Sequence, residues 1–375
     1  MIYLDYNATT PIDPAVAEAM MPYILEHYGN PSSSHELGRT AQQAVEKARV
    51  QVAALLNASP DEIIFTSGGS ESNNMVIKGI AWKYYSKGNH IITSAIEHPS
   101  VLSVCTYLEK QGYQITYLSV DSFGQVRPAD LEAAITGQTI LVSVMHANNE
   151  TGTIQPIQEL ATISHRHGAF FHTDAAQSVG KIATDVKQLG IDFLTVAGHK
   201  LYAPKGIGAL YIRQGVQLDP FIHGAGHERG LRAGTENVVH DVALGQACAM
   251  VQANLPITNI QDLTDYFWTQ LQLQFGDQVV LNGHPAERLP NTLNVSFIDR
   301  RGYEILDLLS NVAASTGSAC HAGQTSLSPV LRAMGIPENI GLGAIRFSLG
   351  RFTNKANIDE VISQLVPLIE KKEET

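Results

Sequence analysis

Residues Glu62–Glu71 read EIIFTSGGSE: an apolar run that stops at two glycines, after which helical spacing resumes near Glu71. A short apolar run bounded by glycines predicts a buried strand, and the glycine turn leads it into a helix. The same grammar recurs downstream. His90–Ser94, Gln114–Val120, Ile140–Met145 and Ala169–His172 are further predicted strands, with helical patterns between them. Upstream, Ala41–Leu56 (AQQAVEKARVQVAALL) carries apolar residues at three- and four-residue spacing, as an amphipathic helix does. Strand and helix alternating this often predict a mostly parallel sheet covered on both faces.

Asp192–Val196 and Ile207–Ile212 read as two later strands, the second entered through Gly206 and Gly208. A helical stretch follows around Asp241–Ala253, and then the pattern changes. Thr292–Phe297, Val312–Ser315 and Ala344–Ser348 read as strands, and Tyr303–Ser310 and Ile358–Lys371 as helices. The expected organisation is a large α/β domain over residues 14–255. A smaller α+β domain takes residues 256–375 and is expected to recruit residues 1–13.

Bulk properties narrow the function classes. Among 375 residues, 44% are hydrophobic and 16% charged, which excludes a disordered or fibrous chain. A net charge of −11 argues against unspecific nucleic-acid binding. Met1–Thr10 (MIYLDYNATT) has neither a basic start nor an apolar segment, and no run is long enough to cross a bilayer. The expectation is a cytoplasmic protein that binds neither membrane nor nucleic acid. Cys105, Cys248 and Cys320 are too few and too scattered for a disulfide framework or a zinc site.

Open α/β sheets bind ligands beyond the carboxyl ends of their strands, so the turns there matter most. Thr66–Glu71 pairs glycines with a helix start, which suits a phosphate and equally suits an ordinary capped turn. His98 follows a strand and could stack on a ring or move a proton, or simply precede a proline-started helix. Asn148 and Asn149 could orient a carboxylate or brace a turn. Asp174 ends a strand beside apolar residues, where a carboxylate wants a cationic partner. Lys200, in Ala197-Gly198-His199-Lys200, stands where desolvation would make it a nucleophilic amine, and Lys205 competes for that role. His165, His167, His172, His223 and His227 lack metal-ligand spacing, so no metal is expected. Cys105 and Cys248 sit in apolar helical patterns. Cys320 sits among small residues that predict a mobile loop at about 316–328, beside His321, making it the candidate reactive thiol.

The order of these pieces is more specific than any one of them. Asp5–Pro11 (DYNATTP), Gly29–Ser33 (GNPSS), Thr66–Ser72, Glu97-His98, Asn148–Gly152 (NNETG), Asp174–Gln177 (DAAQ), Gly198–Lys200 (GHK), Gly226–Arg229 (GHER), Arg232–Thr235 (RAGT), Gly317–Cys320 (GSAC) and Arg346–Ser348 (RFS) run along the whole chain. In this order they resemble the cysteine desulfurases, and most recur in the related selenocysteine lyases. The resemblance implies a fold-type I enzyme of pyridoxal 5'-phosphate (PLP), working as a homodimer. It implies that Lys200 carries the cofactor as a Schiff base, that Asp174 partners the ring nitrogen, and that Gln177 donates to the ring oxygen. His98 would stack on the ring, and Gly69, Ser70 and His199 would hold the phosphate with Thr235 of the second subunit. Asn149 and Arg346 would contact the substrate carboxylate. Cys320 would take the substrate sulfur as a persulfide for an acceptor or iron–sulfur scaffold protein, leaving alanine from L-cysteine.

Two departures accompany the resemblance. Ala197 stands where a serine commonly precedes Gly-His-Lys, so a backbone N–H but no hydroxyl is offered to the phosphate. Ala-Cys-His at Ala319–His321 also occurs in selenocysteine lyases, which keeps L-selenocysteine open as the substrate. An aminotransferase of the same fold and a non-catalytic sulfur-carrier scaffold are the remaining alternatives.

Overall fold

The computed structural model describes residues 1–253, 255, 257–316 and 326–370. In chain order its strands are β1 Ile2–Tyr3, β2 Ile63–Thr66, β3 His90–Ser94, β4 Gln114–Leu118, β5 Thr139–Ser143 and β6 Phe170–Asp174. They continue with β7 Phe193–Ala197, β8 Gly208–Ile212, β9 Val279–Asn282, β10 Thr292–Phe297, β11 Val312–Ala313 and β12 Ala344–Ser348. Seven of them form one sheet in the order β2-β8-β7-β6-β5-β3-β4. The run from β7 to β4 is parallel, whereas β8 lies antiparallel to both β7 and β2.

Every residue of β2, β3, β5, β7 and β8 is buried, because helices cover both faces. The strand period of two sends neighbouring residues into opposite cores. Ile63, Ile92, Val142 and Leu194 pack on one face with the Glu36–Leu56 and Val238–Gln252 helices. Ile64, Ile91, Leu141 and Phe193 pack on the other with Gly69–Tyr84 and Pro99–Glu109.

Some boundaries differ from the sequence reading. The helix expected from Ala41 begins at Glu36, because His35 Nδ1 accepts the Gly38 N–H at 3.2 Å as an unusual cap. The strand expected to end at His172 runs on to Asp174, which becomes its last residue. The strand expected to reach Met145 stops at Ser143.

A three-stranded antiparallel sheet, β12-β10-β9, has its own core of Leu4, Phe267, Val295, Phe347 and Val361. β1 pairs with β11, and Asp5 bridges to Ser348, so the start of the chain is built into this second sheet.

One buried ion pair ties the glycine-rich loop at Gly224–Gly234 to the large sheet. Arg49 Nη1 and Nη2 donate to the two carboxylate oxygens of Glu228 at 2.8 and 2.9 Å. Arg49 also reaches Ile63 O, and Glu228 accepts the Phe65 N–H at 2.9 Å. Removing one partner would strand the other charge in the interior. Arg49→Met is therefore expected to lower stability by about 3–5 kcal/mol, read as a lower Tm. Adding Glu228→Leu to it is expected to recover much of that loss, since neither charge of the pair is then left buried.

Candidate active site

The carboxyl ends of β2, β3, β5, β6 and β7 open on one cleft, and each contributes part of its wall. After β2, Gly68 adopts φ 146°, open only to glycine, and turns the chain into the Gly69–Tyr84 helix. Gly68 offers no side chain to cap this helix, so its first N–H groups and positive dipole end face outward. A Cβ on Gly69 would lie 3.5 Å from Ala197 Cβ, which sets the turn against the end of β7. Ser70 is exposed beside it.

After β3, His98 caps the Pro99–Glu109 helix: its Nδ1 accepts the Ser100 N–H at 3.2 Å and bonds Ser100 Oγ at 2.8 Å. With Nδ1 used as an acceptor, the neutral ring carries its proton on Nε2. Partial burial lowers the His98 pKa, opposed by Asp174 and assisted by Lys200. Ser100 Oγ in turn accepts from Asn73 Nδ2 at 2.8 Å, and Asn73 donates to Asp174 Oδ2 at 2.7 Å. Histidine and aspartate are thus held by one relay.

Asp174 is 7% exposed. Its Oδ1 accepts the Ala176 N–H at 3.0 Å, so all its partners are neutral donors. Among the described residues no lysine, arginine or histidine nitrogen pairs with it. A buried carboxylate in that state fits a cationic ring nitrogen brought in by a cofactor.

Lys200 follows β7 in a single 3₁₀ turn, Gly198–Lys200. Its Nζ donates to the carbonyls of Asn7 and Ala8. Burial, followed by the charge of Arg346, depresses its pKa to about 8, against the pull of Asp5 and Asp174. Lys205, the competitor, is exposed in the next turn. His199 Nδ1 meets Thr9 Oγ1 at 3.2 Å, and burial pushes its pKa down to about 4, so the ring is neutral at physiological pH. Gln177 is buried and donates from Nε2 to Asn7 O at 2.9 Å.

The second sheet supplies the remaining wall. Arg346, on β12 and 4% exposed, donates to Asn149 O at 3.0 Å and to Asp5 Oδ1 at 2.7 Å. Thr235 is exposed in a loop that Arg232 ties to Glu71 at 2.9 Å. The structure gathers Lys200, Asp174, His98, Gln177, His199, Asn149 and Arg346 about one cleft, with Gly69, Ser70 and Ala197 at its edge. Thr235 forms no hydrogen bond with them. Cys320 lies outside the described residues, as do the other residues of its loop from Gly317 to Thr325.

Sequence reasoning gave no role to Asn7, Asn73, Ser100 or Lys181. Asn7 stood in a quoted motif without one, and Asn73 stands four residues after Gly69, on the same side of its helix. The five histidines tested for metal spacing have other uses where their partners are seen. His165 pairs with Asp192 and His167 with Glu132, while His172 bonds Ser143 and Thr195.

A lysine of depressed pKa and a buried carboxylate without a cationic partner, facing one cleft of a mostly parallel sheet, fit the fold-type I PLP class of enzymes. The family model described as aminotransferase class-V matches residues 2–361. Cysteine desulfurase IscS of Dictyoglomus turgidum is 48% identical over 374 residues, covering 99% of this chain and 95% of that protein. Cysteine desulfurase 2 of Trichormus variabilis is 49% identical, covering 99% and 94%. Among solved structures, a NifS-like protein superposes with a TM-score of 0.92 at 37% identity, covering 98% of this chain and 99% of its own. A structure described as SspA in complex with cysteine gives 0.83 at 38% identity, covering 94% and 100%. The chain belongs to the class-V aminotransferases and, within them, to the cysteine desulfurases; it is a PLP-dependent enzyme.

Proposed function

We propose that this enzyme takes the sulfur of L-cysteine onto Cys320 and releases L-alanine. The observation that carries the reading is the pair formed by the depressed Lys200 amine and the buried, cation-free Asp174 carboxylate across one cleft. PLP bound there supplies an electron sink for the bonds at the substrate's α- and β-carbons. Gly69, Ser70, the Ala197 backbone and His199 hold its phosphate, Asp174 its ring nitrogen, Gln177 its ring oxygen, and His98 its ring face. Lys200 Nζ would take the Cα proton. Arg346 and Asn149 hold the substrate carboxylate, which orients the thiol toward Cys320.

The Cys320 thiolate attacks the substrate Sγ, the Cβ–Sγ bond breaks, and Cβ is protonated to the alanine methyl. The products are alanine and a persulfide on Cys320. That sulfur passes to an acceptor protein, with an iron–sulfur scaffold the fitting recipient. Residues 14–255 act as the cofactor domain. Residues 1–13 and 256–375 act as the domain that delivers the Cys320 loop.

The enzyme works as a cytoplasmic homodimer in this reading. Met21, Ile24, Leu37 and Val50 are exposed on the Pro14–Leu25 and Glu36–Leu56 helices. Exposed apolar residues on these helices suit a partner copy, which would bring Thr235 to the opposite phosphate site. The test is turnover of L-cysteine and L-selenocysteine by the purified holoenzyme. In a single turnover without acceptor or reductant, alanine and Cys320 persulfide are expected in equal amounts from L-cysteine. Turnover confined to L-selenocysteine would replace this reading with a selenocysteine lyase.

A further inference from the structure

Lys181 is a buried lysine that the chemistry above leaves unused. It is 8% exposed, and its Nζ donates to Asn7 Oδ1 at 3.1 Å and to Gln177 Oε1 at 3.0 Å. Burial, with the charges of Lys200 and Arg346, holds its pKa well below the usual lysine value. Among the described residues no carboxylate pairs with it. Two amide oxygens are what keep its polar end in the interior.

Those partners give the lysine a directional role. A side-chain amide has an acceptor end and a donor end, and the lysine amine spends its N–H groups on the acceptor ends of both amides, Asn7 Oδ1 and Gln177 Oε1. With its oxygen held by Lys181, Gln177 must turn its nitrogen away, and that nitrogen reaches Asn7 O at 2.9 Å, beside Lys200 Nζ. The same argument fixes Asn7. Its Oδ1 accepts from Lys181 and from Asn291 at 3.1 Å, so its Nδ2 turns to Thr292 Oγ1 at 2.8 Å and to Asn149 O at 3.3 Å.

We propose that Lys181 is a positioning residue that sets the polarity of the Gln177 and Asn7 amides. Gln177 is thereby made to present N–H, not C=O, to the cofactor's ring oxygen. Asn7 is kept with its backbone carbonyl on Lys200 and its side chain on Asn149, across the seam between the two sheets. The inference rests on the role proposed for Gln177.

The test titrates PLP into cofactor-stripped protein and follows the visible band, giving a dissociation constant and the band's pH midpoint. Lys181→Met is expected to weaken PLP binding about tenfold. It is also expected to raise the midpoint by about half a pH unit, because a ring oxygen lacking its donor would be more basic. Lys181→Leu gives the same readout should Lys181→Met not fold. Lys181→Gln, which keeps donors, is expected to recover most of both effects.

Gln177→Ala alone is expected to reproduce the midpoint shift, and adding Lys181→Met to it should move the midpoint no further. If Lys181→Met lowers Tm but leaves both constants unchanged while Gln177→Ala moves them, the lysine is structural only and the proposal is overturned. If Gln177→Ala moves neither, the role given to Gln177 fails first, and the two failures are thereby told apart.

Discussion

Lys200→Ala is expected to lower turnover by about 10³-fold or more and to remove the visible absorbance that a lysine-bound cofactor gives. On the proposed reading two duties would fall on one nitrogen, holding the cofactor and moving the Cα proton. Lys200→Arg should be nearly as inactive, since a guanidinium keeps the charge but is neither nucleophile nor base at neutral pH. The pH dependence of cofactor capture follows from the same amine. With its pKa held at about 8 by burial and Arg346, it is mostly protonated below that pH and mostly free above it. The rate at which stripped protein gains the visible band on adding PLP is therefore expected to rise through about pH 8 and then level. A rate still rising steeply above pH 9.5 would mean that an ordinary, solvent-exposed lysine is the one reacting.

The parts of this site legible in sequence are those that local physics dictates. β3 and β10 have the bounds expected of them, and β7 and β8 differ by a residue, because apolar runs buried on both faces have no other stable place. Strand direction is another matter. The antiparallel setting of β8 leaves no mark in its own residues and follows from the short connection after β7. The Pro14–Leu25 helix was illegible for a different reason: PAVAEAMMPYIL is apolar around most of its circumference and carries an internal proline.

Within the site, Asp174 announces itself by its place at a strand end, whereas Lys200 shares its place with Lys205 and is singled out only by the resemblance. Asn7 and Lys181 do not announce themselves, because their meaning lies in a contact across 174 residues of chain. Likewise Asn73 looks like any helix polar residue until its bonds to Ser100 and Asp174 are seen. Long-range polar pairing is specified by the fold and not by a local pattern, so it becomes readable only after the chain is folded.

Cys320→Ala is expected to leave PLP binding and the visible band intact while lowering alanine release from L-cysteine by about 10³-fold or more. The other two thiols cannot substitute for it. Cys105 and Cys248 are fully buried, and burial pushes both up to about 12, so neither holds appreciable thiolate near neutral pH. Cys105→Ala and Cys248→Ala should accordingly keep their turnover. In the native enzyme, brief iodoacetamide treatment at neutral pH should place one alkyl group, on Cys320, and stop desulfuration with the cofactor still bound. The separation between cofactor and thiol is the informative part. Loss of the visible band along with activity would mean that Cys320 supports the fold of the site, not the sulfur transfer. Undiminished alanine release in Cys320→Ala would show that the Cβ–Sγ bond breaks without this thiol as acceptor. In the proposed reaction the cofactor held at Lys200 would make the substrate's carbon bonds labile, and only a thiolate able to meet the substrate sulfur would turn that lability into a persulfide.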